Sequence, residues 1–189
     1  LSNLQRQILY RDTDIGLPKA QAAAKHLQQV NPHILIKPMV AALNDDNLLA
    51  IIEQVDVVLD CSDNFNTRDA VNTACVQADK PLVSGAAIGL SGQLAIFYGS
   101  RQWPCYRCLY PRTDDVMATC SESGVLATVV GVIGALQAHE ALLCLSNLGA
   151  GSYGKLLLWE ADIPTWRTLK FRKDPDCPVC GHVKNEEKS

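Results

Sequence analysis

Two cysteine pairs restrict the fold of this chain more than any other feature. The stretch CYRC contains Cys105 and Cys108, and CPVC contains Cys177 and Cys180, with 68 residues between the two pairs. Two CxxC pairs supply four thiolates, which bind zinc in a closed tetrahedral site. Such a site leaves no position for a substrate, so we expect a structural Zn²⁺ that joins the region after Ser100 to the C-terminal end. Disulfide bonds between these cysteines are the alternative.

The composition favours metal over disulfides. The chain has 189 residues, of which 48% are apolar and 20% charged, enough for one substantial core. Secreted disulfide scaffolds are smaller, so we expect a reducing, cytoplasmic compartment. The net charge is −3 and Lys and Arg are scattered, which argues against a nucleic-acid partner. The most apolar run, residues 124–138, is too short to span a membrane.

Helices and strands alternate in the first half of the sequence. The patterns predict helices over 18–29, 44–54 (with Asn44 as N-cap) and 64–79, and strands over 33–40, 55–60 and 81–85. This alternation predicts an α/β fold with a mostly parallel sheet and helices on both faces. After Gly85 the pattern predicts antiparallel strands over 89–100, 154–160 and 165–171, with a long helix over 124–146.

Polar residues follow the strand predicted over 55–60. In open parallel sheets ligands bind at the carboxyl ends of the strands, where VVLDCSDN places Asp63 and Asn64. Asp63 could therefore bind a metal–nucleotide complex. Either residue could equally cap the helix over 64–79. The small residues 85–87 end the next strand and either let a ligand approach the backbone or form a simple turn.

Two cations near the start of the chain suggest an anionic ligand. Arg6 carries a planar fork suited to phosphate or carboxylate, although a frayed polar terminus is the alternative. Lys19 lies in the first turn of a helix, where a cation opposes the helix dipole, although a solvated surface lysine is again possible. Together with Asp63, these residues would suit a magnesium-bound polyphosphate.

The order of the motifs resembles the ThiF/MoeB family, whose members are similar to ubiquitin-activating enzymes. The resemblance covers nearly the whole chain and rests on SNLQRQ, GLPKA, VVLDCSDN, PLVSGAAIG, CYRCLYP and CPVCG. It implies a Rossmann-like fold that adenylates the C-terminal glycine of a ubiquitin-like sulfur carrier, consuming ATP and releasing pyrophosphate. It also implies a homodimer that binds the Gly-Gly tail of the carrier.

The resemblance assigns roles to individual residues. It implies that Asp63 holds Mg²⁺ and that Arg6, Asp63 and Cys120 are catalytic. Cys120 lies where relatives carry the cysteine that accepts the carrier as a thioester, although a loop cysteine without a role is the alternative. The residues expected to bind ATP are Asn3, Arg6, Gln7, Lys19, Asp63 and Asn64.

Family members carry a strand and a GxGxxG triphosphate loop upstream of SNLQRQ. We therefore expect an N-terminally truncated form that lacks the first βαβ unit. Its predicted parts are a partial adenylation domain over 1–175 and a zinc knuckle with a C-terminal tail over 176–189. The stretches WRTLKF and CYRCLYP favour ThiS of thiamine biosynthesis as the carrier. The alternatives are MoaD of molybdenum cofactor biosynthesis, or a non-catalytic, zinc-stabilised module that only docks a carrier tail.

Overall fold

The computed structural model describes residues 3–42, 45–100, 102–111, 124–146, 148 and 152–182. The chain divides into two compact units, residues 1–43 and 44–189. The domain division predicted after residue 175 stays a prediction, as does the capping role of Asn44, which lies outside the described residues.

The first unit is built around one helix. Helix α1, Lys19–Val30, follows Pro18 and agrees with the predicted helix to within one residue at each end. Asp14, in a 3₁₀ turn over Asp12–Asp14, accepts the Arg11 N–H at 2.9 Å and lies 2.8 Å from His26 Nε2 on α1. These contacts lower the pKa of the Asp14 carboxyl, first through the Arg11 N–H and then through His26. The pair ties the segment before α1 to the helix.

The prediction of a strand over residues 33–40 is wrong. These residues form no ladder within the described part of the chain, and Ile34, Leu35, Met39 and Val40 are all exposed. Branched apolar residues favour a strand only where a neighbouring strand and a buried face receive them. Pro38, which has no N–H to donate, further weakens the segment as a strand.

In the second unit, the described residues form a five-stranded sheet and four helices. The helices are α2 (Asp45–Ile52), α3 (Phe65–Gln77), α4 (Tyr106–Leu109) and α5 (Ala127–Leu145). The strands are β1 (Val58–Asp60), β2 (Leu82–Ile88), β3 (Ser91–Phe97), β4 (Lys155–Glu160) and β5 (Thr165–Lys170).

The sheet has the order β1-β2-β3-β4-β5. Among the described strands, only β1 and β2 pair in parallel, while β2–β3, β3–β4 and β4–β5 are antiparallel. The α/β class and the antiparallel extension are therefore confirmed. The prediction of a mostly parallel sheet is wrong for the described residues. No strand forms over 33–40, and β2 to β5 form an antiparallel meander.

Helices cover both faces of the sheet, as predicted. Alternate residues of a strand point to opposite faces, so Leu82 and Phe97 pack towards α2 and α3. Val83 and Ile96 pack on the other face, where α5 contributes Ala141. This sandwich fixes the carboxyl ends of β1 and β2 between α3 and α5.

Helix α5 approaches the sheet closely because two glycines face it. A Cβ on Gly85 would collide with the Gln137 carboxamide and lie 2.9 Å from Ile133 Cγ2, and one on Gly92 would lie 2.6 Å from Ile133 Cγ1. The small residues from Gly85 onwards had two interpretations, an opening for a ligand or a simple turn. In the structure Gly85 lies within β2 and makes room for α5. By length and composition α5 would also fit a membrane span, but Gln137 and Glu140 on it are buried.

Candidate functional site

Four cysteine thiols converge at one end of the second unit. Cys105 is the N-cap of α4, Cys108 lies within α4, and Cys177 and Cys180 lie in the turn after β5. Their sulfur atoms all lie within 4.8 Å of one another. The Sγ–Sγ distances are 3.9 Å for Cys105–Cys108, 3.6 Å for Cys105–Cys177 and 3.4 Å for Cys108–Cys180. The structure thus brings together the four residues that the spacing predicted.

These distances fit a tetrahedral metal site. With metal–sulfur bonds of about 2.3 Å, two sulfurs at the corners of a tetrahedron lie about 3.8 Å apart. The observed separations scatter around that value, and all four thiols are free rather than joined as disulfides. Three of the four cysteines are buried, which is typical of a closed structural site. The cluster can therefore hold a metal ion such as Zn²⁺.

Backbone groups shape the cluster. The Asp174 N–H donates to Cys108 Sγ at 3.4 Å. Hydrogen bonds from Cys105 and Cys180, with this N–H, lower the pKa of the Cys108 thiol, which favours the thiolate that a metal requires. Gly99 leaves the space that the cysteines need, because a Cβ there would lie 2.5 Å from Cys105 Cβ.

The first cysteine pair is also anchored to α3. Arg107, between the two cysteines, pairs with Asp69 of α3 at 3.2 Å, and both side chains are largely buried. The neighbouring Tyr106 N–H donates to Asn72 Oδ1 on the same helix at 2.9 Å. One helix therefore contacts the cysteine cluster at one end and begins beside Asp63 at the other.

Asp63 and Asn64 lie in the loop between β1 and α3, at the carboxyl end of β1. Both side chains are exposed. The Asn64 side chain accepts the Thr67 N–H at 2.8 Å, so Asn64 is the N-cap of α3, which was one of its two interpretations. Asp63 makes no such capping bond in the described structure, and its carboxylate faces solvent. Oxygen ligands of this kind, one or two per ion, are what Mg²⁺ uses beside substrate phosphates.

A buried polar network under this loop was not predicted. Asp60, the last residue of β1, accepts hydrogen bonds from the Ser62 N–H at 2.9 Å, the Ser62 hydroxyl at 2.7 Å and the Ser84 hydroxyl at 3.2 Å. Gln137 of α5 donates to the carbonyls of Asp60 at 2.9 Å and Val83 at 3.3 Å. The sequence signal for this contact was Gln137 itself, a polar residue within the apolar run over residues 124–138.

Arg68 supports the same loop from the opposite face of the sheet. It lies on α3 with only 9% of its surface exposed. Its guanidinium donates to the carbonyl of Ser62 at 2.5 Å and to that of Gly85 at 3.2 Å. The carboxyl end of β1 and the first half of β2 are thus held by Arg68 on one face and by Gln137 on the other.

The remaining candidate residues belong to the first unit, apart from Cys120. Arg6 donates to Asn3 Oδ1 at 2.6 Å, which orients its guanidinium, and the Gln7 N–H donates to the Asn3 carbonyl at 3.1 Å. Lys19 begins α1 and is exposed. Three of the predicted ATP residues therefore share one turn. Cys120 lies outside the described residues.

Comparison with known proteins decides the family. The ThiF family matches residues 1–179 of the chain. The chain belongs to the ThiF family. A molybdopterin-synthase adenylyltransferase of Escherichia coli K12 is 45% identical over 181 residues, which cover 96% of this chain and 73% of that protein. The ThiS adenylyltransferase of the same organism is 41% identical, with 96% and 72% covered, and a Thermus thermophilus sulfur carrier protein adenylyltransferase is 42% identical, with 96% and 69% covered.

Solved structures with this ThiF-family fold include E. coli MccB. Its crystal structure with MccA-N7isoASN superposes with a TM-score of 0.81 at 22% identity and covers 95% of this chain. The chain spans 56% of the MccB chain. At this identity the likeness supports the fold alone.

Proposed function

We propose that this protein adenylates the C-terminal glycine of a ubiquitin-like sulfur carrier protein. The observation that carries the proposal is identity of 41–45%, over nearly the whole chain, to relatives named as adenylyltransferases of molybdopterin synthase and of sulfur carriers. In this reaction the carrier carboxylate attacks the α-phosphorus of ATP. An acyl–phosphate bond forms, the bond to the β-phosphate breaks, and pyrophosphate leaves.

The charge of the reactants determines what the chain must supply. A carboxylate approaches a highly negative triphosphate, so catalysis consists mainly of positioning and cationic stabilisation. We assign Arg6 and Lys19 to phosphate oxygens and Asn3, Gln7 and Asn64 to nucleotide contacts, on the family resemblance. The attacking carboxylate is already ionised at neutral pH, so the chain needs no general base.

We assign the magnesium ion to Asp63. The exposed carboxylate at the carboxyl end of β1 fits this role, because Mg²⁺ takes oxygen ligands and keeps part of its coordination for phosphates. When bound, the ion would neutralise charge on the phosphates. Asp63 itself would orient that charge relative to the carrier carboxylate.

The proposal names a class of carrier, and an experiment can decide which carrier of that class is the substrate. The stretches WRTLKF and CYRCLYP favour a ThiS-type carrier, while the relatives include both molybdopterin-synthase and ThiS adenylyltransferases at similar identity. The test is ATP–pyrophosphate exchange by the protein as its gene encodes it, with a purified ThiS-type or MoaD-type carrier. A carrier lacking its terminal glycine serves as the control.

Exchange that requires the terminal glycine would support the proposal, and the faster carrier identifies the pathway. Binding of a carrier without exchange would instead support a non-catalytic docking module. We also propose a homodimer, on the resemblance, and a cytoplasmic location, on the two CxxC pairs in a chain of this size and composition. Sedimentation equilibrium of the purified protein tests the dimer.

We further propose that the cysteine cluster holds one structural Zn²⁺. Four sulfurs at tetrahedral separations fit this ion, which prefers thiolates and has no other geometric demand. A closed set of four protein ligands leaves no position for a substrate, so the ion would stabilise the fold. Its anchoring to α3 through Arg107 and Tyr106 would extend that stabilisation to the helix that follows Asp63.

A further inference from the structure

Arg68 makes an unusual set of contacts for a residue on a helix that packs against a sheet. Its guanidinium reaches the carbonyls of Ser62 and Gly85 and lies 3.5 Å from the Ser84 hydroxyl. Its Nε lies 3.9 Å from the carboxylate of Asp60, which is also buried. A buried arginine is costly unless its charge and its donors are satisfied, and here both conditions hold.

These contacts join a loop to a strand. Ser62 directly precedes Asp63 in the β1–α3 loop, and Gly85 lies in the middle of β2. One guanidinium nitrogen, Nη2, therefore joins the backbone next to Asp63 to the neighbouring strand. If the loop moved outward, water could donate to the Ser62 carbonyl in place of Arg68. The hydrogen bond from Arg68 therefore matters because it holds the loop in one position.

Residues of the α4 region also pack around Arg68. Tyr106, from the first cysteine pair, and Tyr110 line a small cavity together with Arg68. Burial raises the pKa of Tyr106 to about 12, and the Arg68 charge opposes that rise, as expected for a hydroxyl beside a guanidinium. These two tyrosines, at the two ends of α4, pack around Arg68 and help to direct its guanidinium towards the loop.

We propose that Arg68 is a positioning residue, which acts by holding the β1–α3 loop so that Asp63 keeps its place for the magnesium-bound nucleotide. The proposal rests on the adenylation function. It predicts a specific defect on replacement, because the guanidinium uses all three of its nitrogens: Nη2 donates to both carbonyls, Nη1 lies 3.5 Å from the Ser84 hydroxyl, and Nε lies 3.9 Å from the Asp60 carboxylate. Lysine at this position would keep a positive charge beside Asp60 and fill much of the same volume, but its single nitrogen could not make all of these contacts at once.

The variant Arg68→Lys separates positioning from folding. Arg172, an exposed residue outside the candidate site, offers a matched control in Arg172→Lys. Hydrogen exchange at the amides of Ser62 and Asp63 measures the order of the loop without any need for activity. We expect exchange there to accelerate at least about tenfold in Arg68→Lys, while amides in β3 and β4 are unchanged. Unchanged loop exchange in a folded Arg68→Lys would overturn the proposal.

Kinetics give a second readout. In ATP–pyrophosphate exchange we expect Arg68→Lys to lower kcat at least about tenfold and to raise the Mg²⁺ concentration required for half-maximal rate. In an Asp63→Ala background the same substitution should have little further effect, because both act through one carboxylate. Independent, multiplicative effects would show that Arg68 does not act through Asp63.

The outcomes distinguish this proposal from the proposed function. If the wild-type protein shows no exchange with either carrier, adenylation fails, while accelerated loop exchange in Arg68→Lys would still support the positioning role. If the wild-type protein is active but the variant retains its loop order and its magnesium dependence, the positioning role fails alone. Should Arg68→Lys not fold, Ser84→Ala, which removes one hydrogen bond to Asp60 and one from Arg68, replaces it with the same readouts.

Discussion

The substitution Gly85→Ala tests how closely α5 must approach the sheet. The new methyl group would collide with the Gln137 carboxamide and lie 2.9 Å from Ile133 Cγ2. The end of the Gln137 side chain could move aside, but its Nε2 would then lose hydrogen bonds to the Asp60 and Val83 carbonyls. Ile133 is branched and cannot move without shifting α5.

The magnitude follows from these two effects. Loss of two buried hydrogen bonds costs about 1–3 kcal/mol, and crowding Ile133 costs about 1–3 kcal/mol. The reduced entropy of the unfolded chain offsets about 0.4–1 kcal/mol. We therefore expect the free energy of unfolding to fall by about 3 kcal/mol. In a chain of this size that corresponds to a melting temperature about 6–12 °C lower, measured by differential scanning calorimetry.

Gly134→Ala on the same helix is the control. In the described structure, no atom outside the adjacent residues and the backbone of the helix itself lies within 4 Å of a Cβ at Gly134. Alanine there should raise the free energy of unfolding by up to about 1 kcal/mol, through its higher helix propensity. A melting temperature for Gly85→Ala within about 2 °C of the wild type would refute the close-packing argument.

Three further predictions concern the chemistry of the protein. Cys108→Ser should reduce bound zinc from about one equivalent to a small fraction and lower the melting temperature, and elemental analysis without zinc in the wild type would contradict the site. Arg6→Ala and Asp63→Ala should each slow ATP–pyrophosphate exchange by about 10²-fold or more, and a near-normal rate would show that the residue is misassigned. Cys120→Ser should leave adenylation intact and abolish sulfur transfer to the carrier, whereas survival of both steps would make the cysteine incidental.

The features that the sequence predicted correctly depend on short-range signals. Helix α1 begins after a proline, and α3 begins after Asn64, an N-cap that bonds only three residues ahead. The cysteine cluster was predictable because CxxC spacing implies a metal site even before the fold is known. In each of these cases the deciding residues lie within a few positions of one another, where local geometry determines the contact.

The features that were missed depend on contacts between distant residues. Gln137 bonds to the carbonyl of Asp60, 77 positions away, and Arg68 bonds to Gly85, 17 positions away. Residue type alone shows only that a polar group needs a partner, and the fold decides which one. The prediction of a strand over 33–40 was wrong for the same reason, because the sequence of a segment does not show whether another strand will pair with it.

The cysteine cluster also joins parts of the chain that are far apart along the backbone. Cys105 and Cys177 are 72 positions apart, and α5, β4 and β5 all lie between them. With an ion bound, that stretch becomes a closed ring, and closing a ring of this length removes much of the freedom of the unfolded chain. A single protease cut anywhere in the stretch from Leu109 to Asp176 would then leave two fragments that stay bound to each other. They would separate only when a denaturant is combined with a chelator, which gel filtration of the nicked protein can show.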